Sequence, residues 1–172
     1  TIIAFGDSLT AGYGLSLAEA YPAQLESKLR EDGFDVAVLN AGVSGETTAG
    51  ALARASFLRQ QAPELVVLGI GGNDALRFVP LSTTADNLRQ ILSTLTKGEG
   101  APQVVLLKMR APSNAGVEYQ REFDQLYVDL AAEFSVPLVP FIVPEVSRNQ
   151  SLLQGDGIHP TAAGYELLIE SY

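Results

Sequence analysis

Five short apolar runs, each followed by a segment of helical periodicity, constrain this chain more than any other feature. They occupy residues 2–5, 36–39, 65–70, 104–109 and 137–139. The runs at 65–70 and 104–109 are apolar but for Lys108, the pattern of strands covered by helices on both faces. Between them, Tyr21, Leu25 and Leu29 step by four. Leu88, Ile91, Leu92 and Leu95 form one helical stripe, with Thr83 and Asp86 ahead of it at capping spacing. Phe123, Leu126, Leu130 and Phe134 form another, and a last helix starts near Thr161 and carries Tyr165, Leu168 and Ile169. Strand and helix alternating in this way predict an α/β chain, a three-layer α/β/α sandwich on a mainly parallel five-stranded sheet with right-handed crossovers. At 172 residues, 47% of them hydrophobic and 18% charged, the chain is expected to form one globular domain over 1–172.

In open parallel sheets, function gathers outside the carboxyl ends of the strands. The first run exits into Gly6-Asp7-Ser8, the second into Asn40-Ala41-Gly42-Val43-Ser44-Gly45, and the third into Gly71-Gly72-Asn73-Asp74. The fourth exits into Arg110-Ala111-Pro112, and a longer passage after the fifth ends in Gly155-Asp156-Gly157-Ile158-His159-Pro160. Polar residues and glycines thus converge on one sheet edge.

His159 is the chain's one histidine, so a neutral-pH base of the usual kind must be this residue. Asp156 stands three residues upstream in a glycine-containing turn, where a carboxylate can fold back onto one ring nitrogen and leave the other facing a nucleophile. Ser8, on a strand-to-helix turn, is the candidate nucleophile. Alone, the serine reads equally as a helix cap, and the histidine as a structural one. Gly45 and Asn73 are candidate oxyanion donors together with the N–H of Ser8, although each alone is ordinary turn chemistry. The force of the reading lies in all of them falling at strand ends.

Composition narrows the classes. A net charge of −9 with scattered basic residues argues against nucleic acid and anionic membranes as partners. The absence of cysteine excludes disulfides, thiolate catalysis and Cys-ligated metals. Neither a P-loop nor a Gly-x-Gly-x-x-Gly fingerprint occurs, so nucleotide binding has little support. No cofactor and no metal are expected. Asp7, Glu46 and Asp74 near the site leave an oxygen-only Mg²⁺ or Ca²⁺ site open, but loop acids are more often caps, and Asp7 reads as one.

Four blocks, "FGDSLTAGYG", "NAGVSGETT", "GIGGND" and "DGIHP", resemble in order those of the SGNH (GDSL) hydrolase family, over essentially the whole chain. The bacterial thioesterase/lysophospholipase/arylesterase subgroup is the most similar, with "VPLVPF" also alike. The resemblance implies a flavodoxin-like sheet of order 2-1-3-4-5. It also implies Ser8 as nucleophile, His159 as base, Asp156 as its orienting acid, and Gly45 and Asn73 as oxyanion donors. The implied activity is hydrolysis of short- to medium-chain acyl esters or thioesters, aryl esters and lysophospholipids included. The partner is then a small-molecule acyl ester or thioester, with no obligate membrane contact and a monomer favoured. A periplasmic or secreted location after signal removal is implied, with cytoplasmic the alternative. Leu76, Phe78 and Val79 after Asn73, Ala111 and Pro112 after the fourth strand, and Ile158 beside the histidine are candidates for an acyl groove, though plain packing beneath loops explains them as well. A carbohydrate O-acetyl esterase on the same scaffold is the alternative; it predicts aromatic platforms near the site, against which stand the absence of Trp and six dispersed Tyr. A catalytically silent flavodoxin-like binding module ranks behind, because no block is broken.

Overall fold

In the computed structural model, which describes residues 1–171, every apolar run becomes a parallel strand: β1 (Ile2–Gly6), β2 (Val38–Gly42), β3 (Leu65–Gly69), β4 (Gln103–Lys108) and β5 (Leu138–Pro140). Tyr172, the last residue of the expected 1–172 unit, lies outside the described residues. The sheet order is β2-β1-β3-β4-β5, as the resemblance implied. Among the described residues, six α-helices lie between the strands, α1 (Ser8–Ala11), α2 (Tyr21–Glu31), α3 (Thr48–Gln60), α4 (Gly72–Leu76), α5 (Leu81–Thr96) and α6 (Val117–Phe134), and two follow β5, α7 (Pro144–Ser147) and α8 (Ala162–Glu170). Helices α3, α5 and α6 pack in a row on one side of the sheet, while α2 and α8 pack together on the other. Phe5, Leu68 and Leu106 fill the middle of the sheet, and the predicted α5 stripe Leu88, Ile91, Leu92 and Leu95 is wholly buried beneath it. Among the described residues, no helix is long and apolar enough to cross a membrane.

Three boundaries differ from the sequence expectation. β2 runs through Gly42 instead of ending at Leu39, because its register against β1 pairs Ile2 with Val38 and Gly6 with Gly42. Its edge position leaves Leu39 exposed, and the turn-like Asn40 serves the strand by accepting the Gly42 N–H at 3.0 Å. β5 ends on Pro140, tolerable on an edge strand that needs no donor there. Thr83 and Asp86 do not cap α5; the helix begins earlier, with the Pro80 carbonyl accepting from the N–H groups of Thr83 and Thr84. Asp86 instead pairs with Arg89 at 3.0 Å. The Thr161 cap is where it was expected, its hydroxyl accepting the Gly164 N–H at 3.1 Å.

One row of residues shapes the functional edge. Gly6 at the end of β1 pairs with Gly42 of β2 on one side and Gly69 of β3 on the other. A Cβ on Gly6 would stand 2.4 Å from the Gly69 carbonyl oxygen, and one on Gly42 would stand 2.2 Å from the backbone nitrogen of Ala11. Neither obstacle is a flexible side-chain tip, so the end of β2 accepts the turn after β1 only because residue 42 has no side chain.

Gly42→Ala is therefore expected to lower the unfolding free energy by about 2 kcal/mol or more, the scale of an overpacked core. Gly155→Ala, where a Cβ meets nothing within 4 Å, should stay within about 0.5 kcal/mol of the parent. Urea unfolding of the two variants checks the contrast, which fails if they are equally stable.

Candidate active site

The serine is presented by a single helical turn. β1 stops at Gly6, and the Asp7 carboxylate caps α1 by accepting the Leu9 N–H at 3.0 Å. The turn closes when Gly12, at φ +82°, and Tyr13 both donate their N–H groups to the Ser8 carbonyl at 3.1 Å. From α8, the Tyr165 hydroxyl donates to the Leu9 carbonyl at 2.7 Å and ties the far end of the chain to this turn. Ser8 is the first residue of α1, so its N–H has no intrahelical acceptor.

The loop before α8 brings the histidine to it. His159 Nε2 lies 2.8 Å from Ser8 Oγ, and His159 Nδ1 lies 2.5 Å from Asp156 Oδ2. The other Asp156 oxygen accepts the backbone N–H groups of Ile158 at 2.9 Å and His159 at 3.0 Å, which locks the carboxylate against the ring. A carboxylate facing Nδ1 can only accept, so the proton sits on Nδ1 and the Nε2 lone pair faces the serine. Partial burial works against charge on Asp156, but the two backbone N–H groups and the imidazole outweigh it and hold the carboxyl below its ordinary value. Gln154 staples this loop to the first one: its side-chain amide donates to the Tyr13 carbonyl at 2.8 Å and the Pro160 carbonyl at 2.9 Å.

Gly45 and Asn73 are brought together: Arg77, directly after α4, donates to the Gly45 carbonyl at 2.9 Å, and the Asn73 amide reaches the next residue of the same loop. The loop carrying Gly45 hangs from β1 through Val43, whose N–H donates to the Gly6 carbonyl at 2.9 Å. Gly45 sits at φ +80°, a conformation that side chains rarely adopt, and its N–H finds no acceptor among the described residues. Asn73, in the first turn of α4, donates one amide hydrogen to the Glu46 carbonyl at 2.9 Å and keeps a second for another acceptor. Arg54 of α3 fixes the same loop. It pairs with the Glu46 carboxylate at 2.5 Å, donates to the Ala41 carbonyl at 2.7 Å and the Gly6 carbonyl at 3.2 Å, and lies 4.6 Å over the Phe5 ring. Asp74 is buried and accepts from the Thr48 N–H at 2.8 Å, the Thr48 hydroxyl at 2.5 Å and the Thr84 hydroxyl at 3.1 Å, which joins α4 to α3 and α5. Asp7, Glu46 and Asp74, the three acids singled out in the sequence, are thus each engaged with protein donors. Among the described residues, no group of three or more His, Cys, Asp or Glu is arranged to hold a metal ion.

The apolar candidates are spread around the site. Leu76, Phe78 and Ile158 are exposed, while Val79, Ala111 and Pro112 are half-buried. Phe78 meets Tyr119 of α6 edge-on at 5.9 Å, and the neighbouring Gln120 holds the Pro112 carbonyl at 3.1 Å, so both loops rest on the first half of α6. Two surface hollows, of about 340 and 210 Å³, lie elsewhere: one is lined by Leu17, Pro22 and Val38, the other by Lys108, Arg110 and Arg148.

Sequence reasoning missed Arg54, Gln154 and Tyr13. Nothing local marks the first two, because the contacts that make them matter, Arg54 to the Gly6 carbonyl and Gln154 to the Tyr13 carbonyl, span 48 and 141 residues. Tyr13 had a signal, the flanking Gly12 and Gly14, both at positive φ. Its ring is exposed and stands 4.8 Å from the His159 ring, tilted by 40°, so one of the six dispersed tyrosines does lie against the site.

A hydroxyl, an imidazole and a carboxylate in line can pass a proton from the first to the second while the third steadies the cation. N–H donors with no protein acceptor among the described residues, such as that of Gly45 and the second amide hydrogen of Asn73, can receive developing negative charge. Residues 4–167 match the model of the GDSL-like lipase/acylhydrolase family. The chain is 38% identical to esterase TesA of Pseudomonas aeruginosa, over 99% of this chain and 85% of that protein. It is 40% identical to thioesterase 1/protease 1/lysophospholipase L1 of Escherichia coli, over 93% of this chain and 75% of that protein. A crystal structure of TesA superposes with a TM-score of 0.91 at 36% identity, covering 98% of this chain and 93% of that one.

The Asp7 carboxyl is pushed up to about 6, chiefly by burial, against the opposing pull of the Leu9 N–H and His159. The fold therefore favours its protonated form, and the stability this supplies is full below the unfolded value near 3.8 and lost as pH rises through about 6. Asp7→Asn keeps an acceptor for Leu9 but does not titrate. Relative to the parent it should gain on the order of 2–3 kcal/mol between pH 4 and pH 7. Urea unfolding at both pH values measures this; parallel pH profiles would refute it.

Proposed function

The chain belongs to the GDSL-like lipase/acylhydrolase family, and from that premise we propose that it is an esterase and thioesterase hydrolysing short- to medium-chain acyl groups through an acyl-Ser8 intermediate. It is a carboxylic ester hydrolase by family, and the named relatives act as esterase, thioesterase and lysophospholipase. The observation that carries the mechanism is the unbroken line from Ser8 Oγ through His159 to Asp156, at 2.8 and 2.5 Å.

His159 Nε2 takes the Ser8 proton as Oγ forms a bond to the acyl carbon. The carbonyl oxygen becomes an oxyanion held by the N–H groups of Ser8 and Gly45 and the free amide hydrogen of Asn73. Asp156 stabilises the imidazolium and keeps the ring in the productive tautomer. As the bond from the acyl carbon to the alcohol oxygen or thiol sulfur breaks, the imidazolium returns the proton to the leaving group. Water, deprotonated by the same nitrogen, then attacks the acyl carbon, and as the bond from that carbon to Oγ breaks the imidazolium returns the proton to Oγ, freeing the carboxylic acid and Ser8. The exposed Leu76 and Phe78, with Val79, Ala111, Pro112 and Ile158, are proposed to border the substrate. The proposed state is a monomer, and the proposed compartment, on the subgroup resemblance, is periplasmic or extracellular.

Hydrolysis of p-nitrophenyl esters from acetate to palmitate tests the reading. Ser8→Ala and His159→Ala should each lower kcat by about 10³-fold or more, and Asn73→Ala by about 10²–10³-fold, with the fold retained. The wild-type rate should peak at one chain length. Near-native turnover in the Ser8 or His159 variant would overturn the mechanism.

A further inference from the structure

The geometry points to Tyr13 as the residue that selects the leaving group, its exposed ring forming with His159 a stacking surface for flat aromatic alcohols and thiols. This rests on the hydrolytic reading above. A proton carried on His159 Nε2 must return to the leaving atom, which therefore comes within about 3 Å of that nitrogen. Whatever substituent the leaving atom bears must then lie alongside the imidazole. The surface there is unusual: the Tyr13 ring, 55% exposed, has its centroid 4.8 Å from that of His159. Ile158, the next residue back from His159, is 51% exposed. An aromatic face alone would serve a sugar as well as an aryl group; the aliphatic Ile158 beside it suits the apolar substituent, and ring pairs attract at centroid separations of about 4.5–7 Å.

Single exposed apolar side chains are normal on protein surfaces, and Leu17 and Phe57 are examples here. Tyr13 differs in being held. Its N–H donates to the carbonyl of Ser8 itself at 3.1 Å, and its carbonyl receives the Gln154 amide at 2.8 Å. Gly12 and Gly14 on either side take φ of +82° and +79°, and a Cβ on Gly14 would stand 2.1 Å from Gln154 Oε1. The same amide also holds the Pro160 carbonyl next to His159. Ring and base are thus positioned by one staple, which fixes the leaving-group side relative to the nucleophile.

The contact matters only while the leaving group is present. Phenyl acetate and ethyl acetate form the same acetyl-Ser8, so their kcat/KM values differ only in steps up to acylation. Tyr13→Leu keeps apolar bulk without a π face, and Tyr13→Phe keeps the face. Tyr13→Leu should lower kcat/KM for phenyl acetate about 3- to 10-fold more than for ethyl acetate, the scale of one aromatic pair. Tyr13→Phe should retain the wild-type ratio. An equal fall on both esters would overturn the assignment, leaving the ring a prop for the imidazole. A larger loss on an acetylated xyloside than on phenyl acetate would also overturn it, in favour of a sugar leaving group. Ser8→Ala, run beside these, separates the two levels. If the esters are hydrolysed independently of Ser8, the hydrolytic reading fails; if Ser8 is required and the ratio does not move, only the role of Tyr13 fails. Thermal melting by circular dichroism confirms that each variant is folded.

Discussion

The turn that carries Ser8 lies against the end of the neighbouring strand, and this close approach is the constraint on which the rest of the site depends. The glycine row Gly6–Gly42–Gly69 makes it possible by removing the side chains from one register position across three strands. With Gly42 bare, the backbone of α1 reaches β2, and bare Gly6, clear of Thr10 and of the β3 backbone, offers its own carbonyl to the loop after β2. That carbonyl is then used twice, by the Val43 N–H and by Arg54. The loop that carries Gly45 thus hangs from the residue two places before Ser8. Misplacement of a reacting group by about 1 Å can diminish catalysis 10²-fold, so the shared anchor is a functional matter as well as a structural one.

Around that anchor, precision comes from long polar side chains that grip backbone carbonyls. Arg54 holds the ends of β1 and β2, Gln154 holds both loops on the histidine side, and Tyr165 holds the turn between them. Charge buried by this scheme is handled unevenly. Asp74 receives three hydrogen bonds from threonines, and Glu46 a guanidinium. Asp7 receives one backbone N–H and is driven upward by its burial. Asp7, directly before Ser8, is thus the least compensated of the three acids.

Much of this was legible in the chain. The continuous apolar runs of β3 and β4, the α5 stripe and the Thr161 cap are local patterns, and local patterns survive folding. The juxtaposition of Ser8, Asp156 and His159 was readable because each falls at the carboxyl end of a strand or in the loop before α8, where an α/β sheet brings segments together. The extent of β2 was not, because Asn40-Ala41-Gly42 has turn composition and becomes strand only by pairing with β1. The start of α5 was misread because Pro80 opens the helix ahead of the polar Thr83 that looks like its cap. The place of Tyr13 beside His159 is not legible in the chain, since its backbone is held by two left-handed glycines and by a glutamine 141 residues away.

The surroundings of His159 and of Asn73 are built on different principles. On the histidine side, polar staples hold one exposed ring at a fixed distance from the base. On the Asn73 side, rings pack in a column: Phe78 meets Tyr119, Tyr119 stacks on Phe123, and Phe123 meets Tyr127. The Tyr127 hydroxyl ends the column on the Ile70 carbonyl at 2.7 Å, directly before Gly71, which at φ +118° opens the helix of Asn73. Gly71 is required there, since a Cβ would stand 2.2 Å from that hydroxyl. Dispersion between packed rings is less directional than hydrogen bonding, so a column of this kind tolerates small displacements at its exposed end, Phe78, while its buried end stays fixed. Such a division suits acyl transfer. On the proposed mechanism His159 and the leaving atom must meet within a narrow distance, whereas an acyl group can vary in length provided its carbonyl oxygen reaches the proposed donors.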